Sequence, residues 1–296
     1  MLEFRTISLS DRERITKALR ASDFRGCEYS FANNMAWQRL AGSKIAFYKD
    51  FYICCAFDTE DGIPHFVLPA GEGDYRDVIA EMKLFSCSVG KPLVISGVTD
   101  ESLGMFNELF PGEFTVEYDR DGSDYIYNTS DLIDLPGRKY HQKRTHLARF
   151  SETEHSFSLI TEKDFDECIE FCTNSYNTKN SYGDHSSVAE QFAINTYFSC
   201  FSELGLIGGI IRIDGKTAAL TIGEQLNSDT FCIHIEKADT SYNGIYAGIN
   251  NCFAKSAAAD FKYINREEDL GIEGLRKSKL SYRPAFLLNK NIVTFR

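Results

Sequence analysis

Residues 208–236 read GGIIRIDGKTAALTIGEQLNSDTFCIHIE, and this stretch sets the fold class. Gly208–Ile213 and Lys216–Glu224 are apolar runs on either side of Asp214-Gly215, a pair that favours a tight hairpin turn. Thr230–Glu236 follows as a third strand. Beyond it the spacing of apolar residues predicts a helix over Ile245–Ala259, a strand over Phe261–Asn265, a helix over Gly271–Leu280, and strands over Ala285–Leu288 and Ile292–Phe295. A hairpin that gives way to helix, strand, helix and strand predicts an α/β domain whose mixed sheet carries helices on its faces.

Read outward from there, the same order occurs once before. Lys44–Phe57 is rich in Ile, Phe and Tyr, meets the turn Thr59-Glu60-Asp61-Gly62, and resumes as His65–Pro69. A helix near Tyr75–Ser88, a strand Pro92–Ser96, a helix near Asp100–Leu109 and a strand Phe114–Tyr118 follow. Ser10-Asp11-Arg12-Glu13 has the capping-box pattern that opens an N-terminal helix. In the second half, helices over Glu162–Cys172 and Val188–Leu204 flank a polar stretch, Asn174–Ser187, that reads as a loop. One duplicated domain accounts for this: a first domain at 1–130, a basic helical connector at 131–151 broken by Pro136-Gly137, and a second domain at 152–296, each with a sheet of its own.

The 296 residues are 43% hydrophobic and 25% charged with 6 prolines, which describes a globular chain rather than a disordered or fibrous one. The longest apolar stretch, Gly205–Ile211, stops at Arg212, and the N-terminus becomes charged before any signal-peptide core, so a cytoplasmic protein is expected. Nine cysteines without a Cys-x-x-Cys pair read as reduced, buried thiols. No metal set emerges from the six scattered histidines. A net charge of −11 excludes a protein that coats nucleic acid nonspecifically. Yet residues 138–150, RKYHQKRTHLARF, hold five Arg or Lys and no acid, and residues 262–296 hold eight basic against four acidic residues. A basic zone on an acidic body suits one anionic ligand.

Those two basic segments, RKYHQKRTHLARF at 138–150 and YINREEDLGIEGLRKSKLSYRP at 263–284, resemble the linker and C-terminal signature of the phosphatidylglycerol lysyltransferase C-terminal domain family. The family consists of tandem GNAT-fold proteins related to the Fem-type aminoacyltransferases. The resemblance implies two GNAT-like acyltransferase folds with a V-shaped opening between splayed central strands, and transfer of an aminoacyl group from aminoacyl-tRNA to an amine or hydroxyl. The acceptor class it implies is a lipid headgroup, a peptide or another small molecule. Coenzyme-A-dependent N-acyltransferases of this fold carry an Arg/Gln-x-x-Gly-x-Gly/Ala loop. Here Asp239–Gly248 keeps Gly244 and Gly248 but lacks the basic residue and the tight glycine pair, which counts against acetyl-CoA or another acyl-CoA and towards a different donor, while a degenerate loop stays open. Arg276-Lys277-Ser278-Lys279-Leu280-Ser281-Tyr282 looks like the helix end at which such enzymes place an acidic tyrosine, with Lys277 in its position. A noncatalytic ligand- or RNA-binding module on the same fold is the alternative from another class.

The candidate site follows from these elements. Glu236, Glu267 and Lys277 are the candidate catalytic groups, the two carboxylates as bases and the lysine at the leaving group. His234 and Glu236 share a face of their strand by the two-residue period. Lys139, Lys143, His146 and Arg149 fall at helical spacing and, with Arg144, Arg266, Arg276 and Lys279, form the candidate donor and phosphate contacts. Asn265, Asp269 and Tyr282 are candidate acceptor contacts; Glu268 and Asp269 equally suit a helix N-terminus. Arg266 and Lys277 read as surface cations facing one opening, so their removal is expected to weaken donor binding with little effect on stability.

Overall fold

The computed structural model describes residues 2–178 and 185–296. In chain order the elements are α1 (Arg12–Ser22), α2 (Phe31–Trp37), β1 (Lys44–Tyr48), β2 (Phe51–Ala56), β3 (His65–Val67), α3 (Tyr75–Ser88), β4 (Val94–Thr99), α4 (Asp100–Leu109) and β5 (Phe114–Asn128). Then come α5 (Thr129–Asp134), α6 (His141–Ser151), β6 (Ser156–Leu159), α7 (Phe165–Thr178), α8 (His185–Ser199), α9 (Phe201–Leu204), β7 (Ile207–Ile213), β8 (Lys216–Gln225), β9 (Thr230–Ala238), α10 (Ile245–Ala257), β10 (Tyr263–Asn265), α11 (Glu273–Ser281) and β11 (Phe286–Phe295). Both Asp-Gly turns join antiparallel strands as expected, β2 to β3 and β7 to β8. Asp214 and Gly215 both have positive φ, 51° and 75°, the geometry that lets a two-residue turn follow the strand twist. Where a loop was expected, Asn174–Thr178 continues α7 and His185–Ser187 begins α8; the remainder of that stretch, 179–184, lies outside the described residues.

The chain forms two compact units that are interleaved along the sequence. Met1–Asp124, Glu268–Gly271 and Leu287–Arg296 make the first, and Tyr125–Glu267 with Ile272–Phe286 the second. In the first unit β1, β2 and β3 run antiparallel, β3 pairs parallel with β4, and β4 pairs antiparallel with β11. Its core gathers Phe51, Ile53, Phe66, Ile79, Met82, Ile95 and Phe106 with Val293 and Phe295. The second unit repeats the scheme: β6, β7, β8 and β9 run antiparallel, β9 pairs parallel with β10, and β10 pairs antiparallel with the end of β5. Here Ile211, Ile213, Ala218 and Ala219 pack against Phe150 of α6 and Ile245 and Ile249 of α10. In each unit, then, the strand beyond the parallel pair comes from the other half of the sequence. Each unit therefore draws on segments from both halves of the sequence, which the expected boundaries at 130 and 152 did not include.

Two further differences have a common cause. Ala285–Leu288 and Ile292–Phe295 are one strand, and Phe114–Tyr118 runs on to Asn128, although polar residues interrupt both. Those polar groups are satisfied in place: Lys290 bonds Asp124 at 2.7 Å, and Asn291 donates to the Val98 carbonyl at 3.0 Å. No helix among the described residues is long and apolar enough to cross a membrane.

Candidate functional site

β9 and β10 pair over only three residues, Thr230 with Tyr263, Phe231 with Ile264 and Cys232 with Asn265. Past that point β9 continues to Ala238 while the chain leaves β10 through Arg266 and Glu267, so the two strands part. The β8–β9 register shifts between Ile222 and Gly223, which face Ile235 and Ile233 and leave His234 as an extra residue in β9. Such bulges re-aim side chains and break the two-residue period, so the expected shared face for His234 and Glu236 is not a consequence of simple alternation. The two side chains meet different partners.

Glu236 accepts from Arg266 Nη2 at 2.7 Å and from Asn250 Nδ2 at 3.4 Å. Both members of the ion pair are nearly covered, with side chains 11% and 10% exposed, so Arg266 is a buried partner and not the surface cation expected. Its Nη1 is buried and finds no protein acceptor. Arg266 sits 5.8 Å from the Tyr127 ring centroid and 4.9 Å from that of Tyr282. Lys143 Nζ lies 3.5 Å from the Tyr282 centroid. Burial, and then the nearby Arg266 charge, lower the Lys143 ammonium to about 8, against the pull of Glu236. Burial raises the Tyr282 and Tyr127 hydroxyls, against the Arg266 charge, while burial and Glu236 raise Tyr246.

Beside these groups is a cavity of about 250 Å³, lined by Lys143 and His146 of α6, Tyr282, and the loop and first turn of α10 from Thr240 to Ala247. The first turn of a helix leaves backbone N–H groups without intrahelical partners and suits an anion. Gly244 and Gly248 have a packing role here: a Cβ on Gly244 would lie 2.1 Å from the His146 carbonyl, and one on Gly248 2.4 Å from the Phe150 ring. Glycine therefore lets α6 press onto α10, which brings Lys143 and His146 to the cavity. Gly244 also has φ 84°, open to glycine without strain.

A second polar group surrounds His234, whose side chain is fully buried. Its Nδ1 lies 2.9 Å from Glu267 Oε1 and its Nε2 3.2 Å from Glu224 Oε1. Cys232 Sγ is 3.9 Å from Glu267 Oε1, and the Tyr197 ring stacks on the imidazole at 5.7 Å and 9°. Burial opposes protonation of His234, but Cys232, Tyr197 and Glu224 outweigh it and hold the imidazole well above its ordinary value. Glu267 occupies left-handed backbone, φ 57°, with its N–H bonded to Asn265 Oδ1 at 2.7 Å.

The other expected residues are dispersed. Lys279, buried, donates to the Arg266 carbonyl at 2.6 Å, whereas Lys277 is exposed. Arg276 is half-buried on the same helix. Lys139 pairs with Asp131 at 3.2 Å, Arg144 donates to the carbonyls of Leu135 and Gly137, and Arg149 is exposed. Asp269 belongs to the first unit, where it is buried, pairs with Arg120 at 3.3 Å and accepts from the Gly271 N–H. Asn265 is buried and holds the Glu267 turn. Tyr127, Tyr246, Glu224, Cys232 and Tyr197 were not among the expected site residues; the alternation Cys232-x-His234-x-Glu236 was the available signal. All nine cysteines are free thiols.

Residues 19–293 match the phosphatidylglycerol lysyltransferase C-terminal family. The chain belongs to that family. A conserved protein of unknown function from Bacteroides thetaiotaomicron is 36% identical, with TM-score 0.94 and 100% of both chains covered. The fold is also that of L-PGS from Bacillus licheniformis (12% identical, TM-score 0.66, 96% of this chain and 92% of that one) and of FemX (9%, 0.67, 99% and 97%). An uncharacterized protein of Mycoplasmoides gallisepticum is 24% identical over 208 residues, 66% of this chain, and the match spans 63% of that relative's length. The architecture is thus the mixed α/β fold shared with L-PGS and FemX, as the sequence resemblance implied.

Proposed function

We propose that this member of the family is an acyltransferase that moves an aminoacyl group from aminoacyl-tRNA to an amine or hydroxyl at the cavity of the second unit. The observation that carries this reading is the pair of cations on one ring: Lys143 and Arg266 both stand over Tyr282, and Arg266 keeps a buried Nη1 without an acceptor. A buried donor left unmade costs about 1–3 kcal/mol, which an anionic ligand oxygen would recover. The acceptor's nitrogen or oxygen attacks the ester carbonyl carbon, and Arg266 Nη1 stabilises the oxyanion. Glu236 takes the nucleophile's proton; as the carbon–oxygen ester bond breaks, the Lys143 ammonium gives its proton to the departing ribose oxygen. Lys143 thereby takes the part first given to Lys277, and Lys277 is left for the outer path of the RNA. The acceptor is a lipid headgroup, a peptide or another small molecule.

A coenzyme A thioester is the second reading, favoured by one observation: the loop and first turn of α10 line the cavity. Donor labelled in its acyl group separates the two. Incubation with phosphatidylglycerol vesicles, a peptide pool and free amino acids should move label from aminoacyl-tRNA and not from acetyl-CoA. Transfer from acetyl-CoA alone overturns the tRNA reading, and transfer from neither overturns both.

A further inference from the structure

We propose that Cys232, His234 and Glu267 bind one zinc ion where β9 and β10 part. Cys232 Sγ, His234 Nδ1 and Glu267 Oε1 all lie within 4.8 Å of one another. The nitrogen and oxygen are 2.9 Å apart, the sulfur and oxygen 3.9 Å. Zinc bonds of about 2.0–2.3 Å in a tetrahedral shell hold such donors roughly 3.3–3.5 Å apart, so the ion would spread the nitrogen and oxygen slightly and draw the sulfur towards the oxygen. Sulfur and imidazole select zinc over magnesium or calcium, which prefer all-oxygen shells.

The surroundings match what a zinc ligand set needs. Glu224 accepts on the far nitrogen of His234, at 3.2 Å, which fixes the ring with Nδ1 toward the other two donors. Tyr197 stacks on the ring and holds its plane. The extra residue in β9 at His234 and the left-handed turn at Glu267, pinned by Asn265, bring the two ligands together from different strands. Cys232 and His234 are buried, while the Glu267 side chain remains 18% exposed and gives the ion a way in. Three protein ligands leave a fourth position for a water or a ligand oxygen.

The test is zinc and cobalt titration of the chelator-treated full chain, without any acyl donor, so its result is independent of the transferase reading. One equivalent should bind, and cobalt should show a thiolate charge-transfer band that Cys232→Ser removes and Cys27→Ser keeps. Glu224→Gln should weaken zinc about 10- to 100-fold. Zinc X-ray absorption of the unsubstituted protein supplies a measurement that needs no variant to fold: one sulfur neighbour at about 2.3 Å is expected. Absence of stoichiometric binding, a shell of nitrogen and oxygen alone, or a thiolate band that survives in folded Cys232→Ser overturns the proposal.

Discussion

Lys143 Nζ stands 3.5 Å from the centroid of the Tyr282 ring, and the Arg266 guanidinium carbon stands 4.9 Å from the same centroid. Two cations meet one aromatic ring beside the cavity, and of the two Arg266 has the close carboxylate partner, Glu236 at 2.7 Å. Burial and the like charge of Arg266 therefore bring Lys143 down to about 8.

That shift fixes a pH dependence. The folded protein releases the Lys143 proton near pH 8, while the unfolded chain keeps it to the ordinary lysine value near 10.5. Between the two the unfolded state holds more protons, so this group makes stability rise with pH above about 8 and is a cost below it. Lys143→Met is expected to raise the melting temperature at pH 7 more than at pH 10. Affinity for aminoacyl-tRNA should fall above pH 8 in the natural protein and lose that step in Lys143→Met. Parallel pH profiles would refute the assignment.

Arg266→Ala strands the buried Glu236 carboxylate. Removing one partner of a buried pair costs about 3–5 kcal/mol, so chemical denaturation should show a large loss. Lys277→Ala, at an exposed position, should change stability by no more than about 0.5 kcal/mol. Equal effects would contradict the burial of Arg266.

At Gly248 a methyl group meets the Phe150 ring at 2.4 Å. Gly248→Ala should cost about 1–3 kcal/mol by overpacking and, because α6 carries Lys143 and His146, should lower donor affinity as well. A stable variant with unchanged affinity would show that the contact of α6 with α10 does not set the cavity.

In the first unit, Lys290 is buried with Asp124 at 2.7 Å and Glu28 at 2.7 Å. Burial raises the Glu28 carboxyl toward its neutral form, Lys290 opposes this, and Asp124 adds to it. Lys290→Met should therefore cost about 3–5 kcal/mol, and Glu28→Gln clearly less. Denaturant midpoints of the two variants check the order.

The repeated hairpin was legible because Asp-Gly between apolar runs is a local signal, and so was each helix with a regular apolar face. The full length of β5 and β11 was hidden. Asp124, Lys290 and Asn291 read as loop residues until their partners, distant in sequence, are known to satisfy them. At the site, Glu236, Arg266, Lys143, His146, Tyr282 and Lys279 came from local pattern and resemblance. Lys277 and Lys279 could not be told apart by composition, since their facing depends on the packing of α11. Glu224 and Tyr197 reach His234 from positions that no short spacing connects, and sequence alone did not set Cys232 apart from the other eight thiols, of which Cys87 proves exposed and Cys200 and Cys252 half-buried.

The most direct measurement is equilibrium binding of aminoacyl-tRNA to the natural protein and to Lys143→Ala, with melting curves for both and acetyl-CoA as the competing ligand. Binding by the natural protein, a loss of about tenfold or more in the variant with its fold intact, and no competition by acetyl-CoA are predicted, since one charge-assisted contact is worth about 1.5–3 kcal/mol. Identical affinities in the two proteins, or binding of acetyl-CoA in place of aminoacyl-tRNA, would contradict a tRNA-dependent acyl-transfer site at this cavity.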